Sequence, residues 1–251
     1  FPEIVREMES AGHETGTHSL YHETVGDSLF EIPGTYPLLP EEVQPRIKLA
    51  TDILEDIVGH KVVSWRCPRL FGGTHVTNAL EALGYECDAT YPMYFYNEQL
   101  FPYHPSQENW TEQGSLNLIE IIQFADMGME SKDDYGRDKD QWPLYRTQST
   151  EAFIPHIESF MSYLEKNDQS QKPIVLCFYF HPWEFWEMPE GVIHFGEGGV
   201  LPDPFLTKGC GKYCLNQVEL LIDWLKSKEA AFLTAGQCAR KWHEILALQE
   251  I

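Results

Sequence analysis

Gly12-His13-Glu14-Thr15-Gly16-Thr17-His18-Ser19-Leu20-Tyr21-His22-Glu23 is the stretch on which the reading of this chain turns. It contains three of the ten histidines. His18 and His22 are four apart, so one helical turn would bring both imidazoles to one face. Two neutral imidazoles so placed can take neighbouring positions on a Zn2+-like ion, which binds nitrogen at roughly 2.0–2.1 Å. A hydrolytic metal site uses three protein ligands and one open position for water, and this stretch supplies two. By spacing alone, the same residues equally describe two polar histidines on an exposed loop. The zinc-helix motif H-E-x-x-H is absent, because His13-Glu14 is not followed by a histidine three residues on.

Outward from this stretch the chain alternates helix and strand. Pro2 to Ala11 reads as a short amphipathic helix stopped by Gly12, and His13 to Thr17 as a short strand. Glu41 to Val58 has helical spacing (Ile47, Ala50, Ile53, Leu54, Ile57) and ends at Gly59. Lys61 to Arg66 reads as a buried strand closed by Pro68, Thr74 to Leu83 as a helix closed by Gly84, and Tyr85 to Thr90 as a strand. Leu118 to Ile122 and Ile174 to Phe180 are further strands, the latter the strongest in the chain. Thr150 to Glu165, Leu215 to Ser227 and Gln237 to Leu246 read as helices, and Ala231 to Thr234 as a last short strand. The remaining long segments, Pro92 to Glu112 and Gln123 to Arg146, read as loops. Six strands alternating with six helices predict an α/β fold with a parallel sheet closed, or nearly closed, by helices.

Chemistry in such folds gathers at the carboxyl ends of the strands. The candidates fall there: His18 and His22 after the first strand, Arg66 ending the second, Asp88 near the end of the third and His181 ending the fifth. Each also has an ordinary reading. Arg66 fits a surface arginine beside a turn, Asp88 a turn former at a strand end, and His181 a satisfied core histidine.

The length of 251 residues predicts one domain, 1–251, with a large core. A formal charge of −21 argues against nucleic-acid or anionic-membrane partners, which demand basic patches. It would not repel neutral or cationic sugars. No run reaches the roughly 18 apolar residues of a membrane span. The six cysteines are scattered, and Cys210 and Cys214 lack the second pair that a zinc ribbon needs. Phe1 already lies in a helical pattern, so an upstream segment is expected. Compartment and oligomeric state stay open.

Gly-His-Glu-Thr-Gly-Thr-His-Ser-x-x-x-His resembles the second motif of the polysaccharide deacetylases, the NodB-homology or chitin-deacetylase-like family. Trp65-Arg66-Cys67-Pro68 is similar to the family's third motif, although Arg69 stands where an aromatic usually follows the proline. Gly84-Tyr85-Glu86-Cys87-Asp88-Ala89-Thr90-Tyr91-Pro92 loosely resembles the fourth motif, and Phe178-Tyr179-Phe180-His181-Pro182-Trp183-Glu184 the fifth. The motifs occur in the family's order, over essentially the whole chain.

The resemblance implies a distorted, seven-stranded (β/α) barrel, here lacking its first one or two strands. It also implies Zn2+, or another divalent transition metal, held by His18 and His22. Arg66 would orient a catalytic aspartate, His181 would protonate a departing amine with Glu184 orienting it, and Asp88, Tyr91 and Trp183 would line the substrate groove. The family's first motif, an Asp-Asp pair supplying a third ligand and the general base, is expected upstream of Phe1. The implied reaction removes N-acetyl or O-acetyl groups from an amino-sugar polymer or oligomer. Two alternatives remain: a related hydrolase acting on a small non-sugar amide, and a catalytically incomplete glycan-binding domain.

Overall fold

The computed structural model describes residues 1–142, 144–168, 170, 172–189, 191–194 and 196–249. The chain divides into two compact units. The first comprises Phe1–Phe124, Ser170–Cys177 and Leu233–Ile251, and the second Ala125–Gln169 and Phe178–Phe232.

In the first unit three two-residue strands pair in parallel in the order β1 (Ser64–Trp65), β2 (Cys87–Asp88), β3 (Ile119–Glu120). Trp65 lies opposite Asp88, and Asp88 opposite Glu120. Isolated parallel bridges extend the pairing, among them Thr17 with Trp65 and Gln123 with Cys177. The fold is mixed α/β, but the described residues form a small parallel sheet rather than the closed barrel expected. The expected strands 13–17 and 174–180 contract to those single bridges, and no strand forms over 231–234.

Side chains explain part of this contraction. The Glu9 carboxylate takes the Thr15 N–H at 2.8 Å, diverting it from a ladder. Glu14 accepts from the Thr234 hydroxyl at 2.8 Å and from Gly236 N at 3.0 Å. It thereby ties down residues 234–236 without strand pairing, at the start of the helix that begins at Ala235.

The first unit's helices are α1 (Pro2–Ser10), α2 (Pro40–Val58), α3 (Thr74–Leu83), the single turn α4 (Met93–Tyr96) and, at the end of the chain, α9 (Ala235–Gln249). Pro40 starts α2 at a position whose N–H has no helical partner, and Gly59 ends it with φ +79°. Val43, Ile47, Ala50 and Thr51 form its buried stripe. This face packs with α3 residues Val76, Ala79 and Leu80 and with Val62 and Trp65. Each fully buried aliphatic side chain contributes about 1.5–3 kcal/mol, so the stripe outweighs any end cap. A second cluster joins Cys87, Ala89, Ile119 and Ile121 to Ala239 and Trp242 of α9. The sheet is thus covered by α2 and α3 on one side and by α9 on the other.

The second unit contains α5 (Leu144–Thr147), α6 (Thr150–Asn167), α7 (Pro204–Thr207) and α8 (Lys212–Ser227), with a short antiparallel pair, β4 (Ile193–His194) and β5 (Gly199–Val200). Ser149 caps α6 by accepting from Ala152 N at 3.2 Å. The α6 stripe of Phe153, Ile157, Phe160 and Leu164 is buried. Asp126 anchors the preceding loop to α6 by accepting from Ser159 Oγ at 2.7 Å and pairing with His156 Nδ1 at 2.8 Å.

Two constraints position Thr17, the residue before His18. Gly16 must be glycine, because a Cβ there would lie 2.8 Å from the Ser64 carbonyl oxygen. The buried Tyr85 hydroxyl lies 2.7 Å from Thr17 Oγ1 and 2.6 Å from Thr51 Oγ1. Tyr85→Phe takes the hydroxyl partner from Thr17, while Thr51 Oγ1 still donates to the Ile47 carbonyl, and we expect a loss of about 1–3 kcal/mol in urea unfolding. A change below about 0.5 kcal/mol would show that this network does not hold the Thr17 segment.

Candidate active site

His18 follows the Thr17–Trp65 bridge, in which Thr17 N donates to the Ser64 carbonyl at 3.0 Å and Arg66 N to the Thr17 carbonyl at 3.1 Å. The pairing therefore sets His18 beside Arg66 at the carboxyl edge of the sheet. His18 Nδ1 lies 2.8 Å from the Arg66 carbonyl oxygen. A carbonyl only accepts, so Nδ1 carries the proton and the lone pair of the neutral ring lies on Nε2. That is the tautomer in which a metal-binding histidine is held by a backbone carbonyl. The His18 and His22 rings meet edge to face with centroids 5.0 Å apart.

The two histidines are not brought together by a helical turn, as their spacing suggested. Ser19 and His22 have φ of +62° and +58°, which bends the segment back on itself. Arg69 and Leu70 also have left-handed backbone, with φ of +61° and +59°. The Arg69 guanidinium donates to the His22 carbonyl at 3.1 Å and to Thr24 Oγ1 at 3.3 Å. Left-handed backbone costs a non-glycine residue of order 1–3 kcal/mol, and such strain collects at functional sites. The arginine that replaces the expected aromatic therefore clamps the histidine turn. Among the described residues, no group of three or more His, Cys, Asp or Glu is arranged to hold a metal ion. Two imidazoles with one tautomer fixed fit part of a zinc-type ligand set.

Arg66 donates through Nε to the Ala89 carbonyl at 2.8 Å and through Nη2 to Cys177 Sγ at 3.3 Å. Asp88 and Tyr91, expected along the substrate groove, are both fully buried. Thr90 Oγ1 donates to Asp88 Oδ1. Opposite Asp88, Glu120 is also fully buried and accepts from Thr90 N at 3.1 Å and Tyr91 N at 2.7 Å. Among the described residues, no other side chain or backbone group bonds to Asp88 Oδ2 or Glu120 Oε2, which leaves the two carboxyls to each other. Burial pushes both carboxyls up, that of Glu120 further because the Asp88 charge adds to it. The Thr90 bond and the Arg66 charge pull Asp88 back down. The pair therefore keeps at least one proton well above the ordinary carboxylate range, with Glu120 the tighter holder.

In the second unit, His181 is 43% exposed in its side chain while Glu184 is at 0%. Glu184 Oε1 accepts from His181 N at 2.7 Å and lies 3.1 Å from His181 Nδ1. Facing a carboxylate, Nδ1 donates. Burial opposes the charge on Glu184, but bonds from His181, Tyr145 and Trp142 outweigh it and hold this carboxyl below its ordinary value. Trp183 stacks on the His181 ring at 5.4 Å and 24°, and Trp142 meets its edge at 5.2 Å.

The structure therefore brings His18, His22 and Arg66 together in the first unit, with Asp88 and Tyr91 buried in that unit, and His181, Trp183 and Glu184 together in the second. Sequence reasoning missed Glu120, although a glutamate inside Leu118-Ile119-Glu120-Ile121-Ile122 was a visible irregularity. It also missed Trp142, Tyr145 and Arg146, which lie in a segment without periodicity.

Residues 1–87 match the sequence pattern of the polysaccharide deacetylase family, which bears out the resemblance over that span. No protein of curated function matches the chain. Among solved structures, the chain is similar to a probable polysaccharide deacetylase from Pseudomonas aeruginosa PAO1 and to Puue allantoinase. Each match has a TM-score of 0.53 at 15% identity, over 97% of this chain and 63% of the other. A GH57-type branching enzyme from Pyrococcus horikoshii matches with a TM-score of 0.51 at 10% identity, over 93% of this chain and 46% of that one. These likenesses show a shared fold. The chain spans less than two thirds of the length of each structure.

The Asp88–Glu120 pair makes stability fall as pH rises. Both carboxyls titrate higher folded than unfolded, so the folded state binds more protons above the unfolded range near 4–4.5. Stability should be greatest at or below that range and decline as pH rises towards the folded values, by at most about 1.4 kcal/mol per pH unit for each proton. Glu120→Gln keeps a donor towards Asp88 at every pH. Urea unfolding from pH 5 to 9 should show a flatter slope for the variant and a gain in stability above pH 7. Parallel slopes for the two proteins would rule out the shared proton.

Proposed function

We propose that this chain belongs to a metal-dependent hydrolase that removes N-acetyl or O-acetyl groups from an amino-sugar polysaccharide or oligosaccharide. The observation that carries this reading is the histidine turn. Within the span matching the deacetylases, His18 and His22 lie side by side, His18 is held by a backbone carbonyl with Nε2 as its lone-pair nitrogen, and Arg69 clamps the turn. His18 and His22 would hold a zinc-type ion, which when bound polarises the acetyl carbonyl and acidifies water.

The chain's own residues supply the rest of the proposal. The planar guanidinium of Arg66 can grip a carboxylate with two hydrogen bonds. Its present bonds to Ala89 and Cys177 fix its side chain for that task. His181 would deliver a proton from Nε2 to the departing amine while Nδ1–H stays on Glu184. Trp183, stacked on His181, would offer an apolar ring to a sugar face. Asp88 and Tyr91 would shape the groove from beneath, through Arg66 and Thr90, because neither reaches the surface.

A second reading, hydrolysis of a small non-sugar amide, is favoured by the equal structural likeness to the allantoinase. A panel of N-acetyl-glucosamine oligomers and small cyclic amides separates the two. On protein that carries the upstream segment expected from the sequence, acetate release should be abolished by a chelator and restored by zinc. His18→Ala and His22→Ala should each remove bound metal together with activity, and His181→Ala should lower kcat by about 10²–10⁴-fold with metal content unchanged. Full metal content and activity in both His18→Ala and His22→Ala would refute the assignment.

A further inference from the structure

We propose that Arg146 is a positioning residue for His181, acting through the Glu184 carboxylate and the Trp183 ring. The proposal rests on the reading of His181 as the proton donor. Arg146 and Glu184 form a buried ion pair in the second unit, both at 0% side-chain exposure, with Arg146 Nε 3.1 Å from Glu184 Oε2.

Tyr145 donates to the same Oε2 at 2.6 Å, and Trp142 Nε1 to Oε1 at 3.2 Å. These two donors are neutral; the guanidinium supplies the countercharge that a solvent-excluded carboxylate needs. Arg146 is itself held, since Nη2 donates to the Phe205 carbonyl at 3.1 Å and Nη1 to the Lys208 carbonyl. With both Nη groups fastened at carbonyls, Nε is held against Oε2 and, together with the Tyr145 and Trp142 donors, sets the plane of the carboxylate. That plane decides whether Oε1 can meet His181 N and His181 Nδ1 together. Arg146 also reaches His181 by a second route, because its Cζ lies 5.4 Å from the centre of the Trp183 ring that stacks on the imidazole.

Neighbouring titratable groups do not substitute for it. Burial pushes the Cys210 and Cys214 thiols up, so both remain neutral. The Tyr145 phenol is pushed up by burial and by Glu184 itself. The alternative role for Arg146 is to fasten α7 alone, through Phe205 and Lys208.

The full chain tests the proposal with Arg146→Met, Arg146→Lys, Glu184→Gln and the Arg146→Met/Glu184→Gln double variant. Two readouts are taken, kcat and KM for acetate release and the His181 Nδ1 proton resonance. Arg146→Met should lower kcat about 10–100-fold with KM within about twofold. It should also weaken or remove the Nδ1 proton resonance that the bond to Glu184 is expected to protect in the wild type. The double variant should be no slower than Glu184→Gln alone by more than about twofold, since both changes act along one route. If Arg146→Met does not fold, Arg146→Lys carries the test, keeping the resonance through its charge while losing part of kcat through the broken fork. Multiplying losses in the double variant, an unchanged resonance in a folded Arg146→Met, or an unchanged kcat in a folded Arg146→Lys would overturn the proposal. A wild type that releases no acetate, yet shows the predicted changes of the resonance, would sink the deacetylase reading and leave the positioning role standing.

Discussion

Parallel backbone pairing at Trp65 is the constraint on which the first unit depends. Thr17 pairs with this residue on one side and Asp88 on the other, and Asp88 in turn pairs with Glu120. Parallel strands end at the same edge, so the residues that follow or close them, His18, Arg66 and Asp88, arrive together without any local sequence relation. The pairing tolerates little. Gly16 leaves room for the Ser64 carbonyl, and the Tyr85 hydroxyl ties Thr17 to Thr51 of α2. A strand only two residues long has few backbone bonds of its own, so side chains take over part of the task of register.

The two units treat buried carboxylates in opposite ways. Asp88 and Glu120 face each other without a full countercharge, and the cheaper solution is a shared proton, because two like charges in a solvent-free layer repel strongly. Glu184 is equally buried but meets a guanidinium and bonds from two histidine nitrogens, a phenol and an indole, so it stays ionised. The first arrangement resists charge and suits a core. The second preserves charge and orients an exposed imidazole, which suits chemistry.

The helices were legible because their signals are local. The 3.6-residue stripe of α2 with Gly59 behind it, and Thr74 to Leu83 closed by Gly84, gave bounds that the structure reproduces to within a residue. The strands were legible as places and not as lengths. The apolar runs at 61–66, 85–90 and 118–122 shrink to two residues each, because pairing depends on what the neighbouring segment offers. The β4–β5 pair was missed, since Ile193-His194 and Gly199-Val200 are too short and too exposed to leave a pattern.

By itself, the sequence determined the alternation of helix and strand, the likeness of its first 87 residues to the deacetylases, and the residue types able to bind metal and move a proton. Those properties reside in the order of side chains along the chain. Tertiary structure alone decided that His18 and His22 meet through left-handed backbone and not through a helix. It also decided that Asp88 is buried against Glu120 and that Arg146 stands behind Glu184. Each of these depends on which distant groups share a solvent-free space, because burial and the nearest charge set protonation and orientation, and neither is written in local spacing.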